Sequence, residues 1–182
     1  MIISLTGTPG TGKTSISRLL KEKGFDVVDF NKVAVENNFL IGKDKKRDSF
    51  IVDIKKFNKY VKENYSQKNI VFIEGHLSHL LESVDKVIIL RCHPDALTKN
   101  LIKKGWNKKK IKENIDAEIL DVILCEAIDL HKPKNIFEIN TTGKSINDVF
   151  SSVTEILENK FKAMIKYNIG KIDWSEEILK DF

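Results

Sequence analysis

Short runs of consecutive apolar residues alternate along this chain with longer stretches in which apolar residues recur every three or four positions. Ile2–Leu5, Val27–Phe30, Ile70–Ile73, Val87–Leu90 and Ile136–Ile139 are nearly unbroken apolar runs, as expected of strands buried on both faces. Between them, Ile16, Leu19 and Leu20 follow helical spacing. So do Ile111, Ile115, Ile119 and Val122, which predict one long helix reaching about Leu130. A last amphipathic pattern runs from Ile146 through Val149, Phe150, Val153, Ile156 and Leu157 to Met164. Pro94 stands where a first helical turn accepts proline. Strand–helix alternation of this kind predicts an α/β fold: a five-stranded parallel sheet with helices on both faces.

At 182 residues the chain suits a single domain with a substantial core. No run of 18 apolar residues is present, and MIISLTGTPG reads as a buried strand rather than a signal peptide, so the expected location is the cytoplasm. Cys92 and Cys125 form no CxxC pair and read as reduced thiols. A net charge of +5 suits an anionic partner such as a nucleotide or RNA without establishing either. Arginine occurs only at 18, 47 and 91, and the other basic residues are lysines. Seven of these lysines fall within 99–112, with no acid among them.

The first predicted strand runs directly into GTPGTGKT, and a helix follows. Gly7, Gly12, Lys13 and Thr14 satisfy G-x-x-x-x-G-K-[ST] in the strand–loop–helix setting that gives the motif meaning. Glycine lets the backbone curl so that the N–H groups of Gly10, Thr11, Gly12, Lys13, Thr14 and Ser15 surround phosphate at a helix N-terminus. Lys13 is the expected contact to the β- and γ-phosphates, and the Thr14 hydroxyl the expected Mg²⁺ ligand, so ATP with Mg²⁺ is the expected bound pair. Glu74, closing the third run, is the candidate second contact to magnesium, through water. Asp29, closing the second, is either near the same ion or a helix cap. His76 is a candidate contact near the phosphates and His79 a structural residue. A zinc site on Glu74, His76 and His79 has nonstandard spacing.

Arg91 closes the fourth run on the ligand-facing edge of such a sheet, which makes it a candidate phosphate clamp, with a structural ion pair as the other reading. Arg47 is a candidate acceptor-phosphate contact or a solvated surface charge, and Arg18 reads as structural. Lys104, Lys109 and Lys110 are candidates to close over phosphates as point charges. The same segment is also open to an RNA contact with Trp106 stacked on a base, or to a solvated basic face. Gly143, in the turn Asn140–Lys144, is a candidate adenine neighbour, with a plain turn capped by Ser145 as the alternative.

GTPGTGKT, IVFIEGH and the segment from ILRCHPDALTKNLIKKGWNKKKIKENIDAEILDV to ILCEA resemble the adenylate kinase isoenzyme six family in its archaeal-type members. The resemblance runs to about residue 167. It implies a nucleoside-monophosphate-kinase fold within one domain over 1–182. An NMP-binding part would span about 30–66, a short LID about 104–114, and a C-terminal helix and tail 145–182. It further implies phosphoryl transfer from ATP to AMP, ATP hydrolysis, and a role in small-ribosomal-subunit maturation beside a ribosomal protein and pre-ribosomal RNA. The family's Asp-x-His falls on Glu74 and His76. Two positions depart from the family: its Ala-Arg-Glu reads Ala34-Val35-Glu36, and its lid Arg-Gly-Tyr reads Lys104-Gly105-Trp106. Each change removes a guanidinium fork that would grip phosphate.

Overall fold

The computed structural model describes residues 1–44 and 49–181. Five parallel strands form the central sheet: β1 (Ile2–Gly7), β2 (Asp26–Asp29), β5 (Val71–Glu74), β6 (Lys86–Arg91) and β7 (Ile136–Asn140), in the spatial order β2-β5-β1-β6-β7. Each overlaps one of the five apolar runs, though Phe30 falls in the helix after β2 and Ile70 just before β5. The runs are nearly unbroken because alternate side chains enter two different cores, with only Ser4, Asp29 and Glu138 interrupting them. Ile3, Leu5, Ile88, Leu90 and Ile139 pack beneath α1 (Lys13–Glu22) and α7 (Ile146–Glu158). Ile2, Ile73, Val87, Ile89 and Ile136 pack against α2 (Phe30–Glu36), α3 (Ile54–Tyr65) and α6 (Val122–Leu130).

The chain departs from its sequence pattern in three places. The long helix expected to run to Leu130 is two: α5 (Lys108–Ile119) and α6 meet at Asp121, whose left-handed φ of 53° breaks the helical path. The C-terminal helix stops at Glu158, short of Met164, because Lys160 and Phe161 both take positive φ. Between α2 and α3 stands an unforeseen antiparallel hairpin, β3 (Leu40–Asp44) and β4 (Ser49–Val52). Leu40 and Val52 reach the core, while Ile41, Phe50 and Ile51 stay exposed.

Helix α4 (Pro94–Lys103) and α5 form a helical hairpin that spans most of the expected LID. Cys92, Leu97 and Leu101 make its buried seam, with Trp106, Ile111 and Ile115 packed against them. After α7 the tail folds back. Trp174 meets the His93 ring edge to face at 5.0 Å, and a 3₁₀ turn follows over Ser175–Asp181. Among the described residues no helix is long and apolar enough to cross a membrane.

Candidate nucleotide site

Parallel alignment brings the carboxyl ends of all five strands to one edge, and most sequence-predicted site residues lie there. β1 ends in the glycine loop, β2 in Asp29, β5 in Glu74, β6 in Arg91 and β7 in Asn140. The loop is held open by its glycines. Gly10 and Gly12 have φ of 99° and 101°, and a Cβ on Gly10 would lie 2.9 Å from the Leu97 side chain. Gly12 is the N-cap of α1 and brings no side-chain cap, so the helix presents its first turn to the loop.

Lys13 is buried, and its ammonium donates to the carbonyls of Gly7 (2.7 Å) and Thr8 (3.1 Å). Burial pulls its pKa down to about 8 against the attraction of Glu74, and the positive charge of Lys104 lowers it further. The Thr11 hydroxyl donates to the Thr8 carbonyl at 2.9 Å, while Thr14 is exposed at the start of α1.

Glu74 and Asp29 are register partners on neighbouring strands. Burial raises the Glu74 pKa, Lys13 opposes that, and the Asp29 charge adds to it. The Asp29 side chain also accepts the Lys32 N–H at 3.0 Å and caps α2. Thr14, Glu74 and Asp29 offer the oxygen atoms a hard divalent cation takes, Glu74 and Asp29 in register at the strand ends and Thr14 in the first turn of α1. His76 is half-buried, and burial followed by the charge of Lys13 pushes its pKa down to about 4, so it is neutral at pH 7. It offers an uncharged hydrogen-bonding group close enough to Lys13 to feel its charge.

His79 is wholly buried. Its Nδ1 meets the Thr6 hydroxyl at 3.1 Å and its Nε2 meets Glu126 at 2.9 Å. Both ring nitrogens are therefore occupied, and a zinc site joining His79 to Glu74 and His76 does not form.

At Arg91 the structure favours the ion-pair reading over the phosphate clamp. Its Nε donates to Glu118 at 2.8 Å, one terminal nitrogen to Glu138 at 2.5 Å, and the other to Asp121 and to the Glu118 carbonyl. Burial alone would lower its pKa, but Glu118, Glu138 and Asp121 outweigh it and raise it. A guanidinium that is only 2% exposed, with four of its five N–H donors given to the protein, is a structural hub and not a phosphate clamp. Arg18 is exposed on α1. Arg47 lies outside the described residues.

On the lid side, Lys104 is exposed just beyond α4, and its charge is felt at both Lys13 and Glu74. Lys110 sits 4.6 Å over the Trp106 ring, and its charge is felt at His76. Trp106 is partly buried in the α4–α5 seam. Gly143 takes a φ of 67° in an exposed turn, beside Thr142, whose hydroxyl accepts the His93 N–H at 2.8 Å. Sequence reasoning missed Glu118. Its carboxylate touches the Thr8 hydroxyl, Arg91 and the Cys92 N–H, and nothing in its helical position announces this.

Residues 3–121 match the family described as an AAA domain. A protein of Pyrococcus furiosus named "Putative adenylate kinase" is 43% identical over 183 residues, covering 98% of this chain and 96% of its own. One of the same name from Methanocaldococcus jannaschii is 37% identical over 178 residues, covering 97% and 94%. The chain belongs to this family. Among solved structures, shikimate kinase from Acinetobacter baumannii superposes with a TM-score of 0.60 at 17% identity, covering 88% of this chain and 95% of that one. Thymidylate kinase from Candida albicans gives 0.59 at 13% identity, with coverage of 88% and 92%. At such identities these two show the fold alone, the P-loop fold of nucleoside-monophosphate kinases.

Proposed function

We propose that the chain transfers the γ-phosphoryl group of ATP to AMP, giving two ADP, and slowly hydrolyses ATP when water takes the acceptor's place. The observation that carries this reading is Lys13. Its buried ammonium rests on two loop carbonyls, beside Glu74 and the neutral His76. A triphosphate entering the loop draws the ammonium off Gly7 and Thr8 and onto its β- and γ-oxygens. The γ-phosphorus–oxygen bond to ADP then breaks as a bond forms to the acceptor oxygen. In such a transfer the protein mainly positions groups and neutralises spreading charge. Lys13, the loop amides and Lys104 supply positive potential, and His76 supplies an uncharged hydrogen bond. Magnesium, held by Thr14 and by Glu74 through water, adds charge neutralisation on the phosphates when bound.

Purified protein given ATP, AMP and Mg²⁺ is expected to form ADP, and Lys13→Ala to lose about 10²–10³-fold of that rate. Equal turnover with and without Lys13 would sink the reading.

A second reading is favoured by one observation. Val35, which stands at the arginine of the resembled family's Ala-Arg-Glu, is 58% exposed on α2 and offers no charge. On this reading the chain is an ATP-driven switch in small-ribosomal-subunit assembly, with a ribosomal protein and pre-ribosomal RNA as the partners that the family resemblance implies. ADP formed from ATP plus AMP, measured against inorganic phosphate from ATP alone, separates the two.

A further inference from the structure

The two helices that flank the LID loop both grip the phosphate loop from behind. Near the end of α4, the Asn100 side-chain amide donates to the Gly10 carbonyl at 3.1 Å. At the end of α5, the Glu118 carboxylate accepts the hydroxyl proton of Thr8. Both Thr8 and Glu118 are only 3% exposed, so this is an interior contact. Glu118 is fully committed: one oxygen takes Thr8, and the other takes Arg91 Nε at 2.8 Å and the Cys92 N–H at 3.1 Å. Thr8 is the joint. Its side chain is tied to the LID helix, while its carbonyl receives Lys13 at 3.1 Å and the Thr11 hydroxyl at 2.9 Å.

A carboxylate behind an anion-binding loop works against phosphate unless a cation offsets it, and here Arg91 supplies that cation. The charge is tolerated because its geometry is useful. When nucleotide draws Lys13 off the Thr8 carbonyl, Thr8 keeps its side-chain tie to α5. The same helical hairpin carries Lys104 and Lys110, whose charges are felt at Lys13, Glu74 and His76.

We propose that Glu118 is a positioning residue: through its hydrogen bond to Thr8 it locks the phosphate loop to the LID helices, so that filling the loop sets the lid lysines in place. The kinetic half of this rests on the phosphoryl-transfer reading above; the coupling itself does not.

Thr8→Ala tests it, because this change removes the link and leaves the Arg91 cluster whole. Thr8→Ser restores the hydroxyl. In a Trp174→Phe background Trp106, at the lid, is the sole indole of a chain that has two tryptophans. Addition of MgADP is expected to shift Trp106 emission in the parent and in Thr8→Ser, and to leave Thr8→Ala nearly unchanged at saturating nucleotide confirmed by calorimetry. In the turnover assay Thr8→Ala should lose about 10–100-fold in kcat with nucleotide Kd within about threefold of the parent, as small misplacements of reacting groups do. A Thr8→Ala protein that matches the parent in Trp106 response overturns the proposal, and so does a loss that Thr8→Ser fails to restore. A parent without AMP kinase activity but with an intact, Thr8-dependent Trp106 response would sink the acceptor reading and keep this one.

Discussion

Asp29 and Glu74 stand in register as the last residues of neighbouring parallel strands, so two carboxylates share the rim of the phosphate loop. Two negative charges beside a site for polyphosphate are favourable only when a cation joins them. Glu74→Gln is therefore expected to lower Mg²⁺-supported turnover about 10–100-fold, the usual cost of losing a residue that orients a metal's waters. In EDTA the same variant should bind ATP at least as tightly as the parent, since one repelling charge is gone. Turnover measured against Mg²⁺ concentration, with calorimetry in EDTA, checks both halves.

Lys13 makes nucleotide uptake pH-dependent. With a pKa of about 8 in the empty loop, the ammonium is partly deprotonated at pH 8, and bound phosphates favour the charged form. Binding should thus take up about half a proton at pH 8 and about a tenth at pH 7. Calorimetry in two buffers of different ionisation enthalpy measures this, and Lys13→Met should abolish it. The stability sign follows from the same shift. The unfolded chain holds the Lys13 proton up to about 10.5 and the folded chain only to about 8, so the cost of burying the charge is relieved as pH rises between those values.

Arg91 should matter for folding first. Arg91→Met strands Glu118 and Glu138 in the interior without a counter-charge, a defect that typically costs about 3–5 kcal/mol. For a domain of this size the melting temperature should fall by about 10 °C. Burial raises the Glu138 pKa and Arg91 opposes that, so without Arg91 Glu138 holds its proton more tightly folded than unfolded, and the deficit should be smaller at pH 5 than at pH 8. Thermal unfolding at the two pH values checks this. A phosphate clamp would instead lose turnover at unchanged stability.

The contrast between Lys13 and Arg91 shows what the sequence could carry. The P-loop was legible because spacing, strand and helix all specify it locally, and the five apolar runs were legible because burial on two faces leaves few polar positions, Ser4, Asp29 and Glu138 being the exceptions. Arg91 was placed correctly at a strand end, but its partners lie far along the chain, Glu118 and Asp121 at the α5–α6 junction and Glu138 in β7. No local pattern encodes their convergence. The break at Asp121 was hidden for a related reason: the apolar spacing continues through it, and the left-handed turn is fixed by packing. The β3–β4 hairpin escaped because Ile41, Phe50 and Ile51 are exposed, which blurs the alternation that marks a half-buried strand.

Val35→Arg puts into α2 the guanidinium that the Ala-Arg-Glu pattern of the resembled family has at this position. The position is 58% exposed in the last turn of α2, and arginine is a good helix former, so the fold should absorb it at little cost. If the acceptor is AMP, a new charge-assisted contact to its phosphate should lower the KM for AMP by about tenfold and raise the ratio of ADP formed to phosphate released. The ATP-only hydrolysis rate should stay put, since Lys13, Glu74 and the glycine loop are untouched. An unchanged ratio, with KM for AMP also unmoved, would mean that α2 does not face an acceptor phosphate. The kinase reading would then lose its acceptor site, and the ATP-driven switch would become the better account of the same loop.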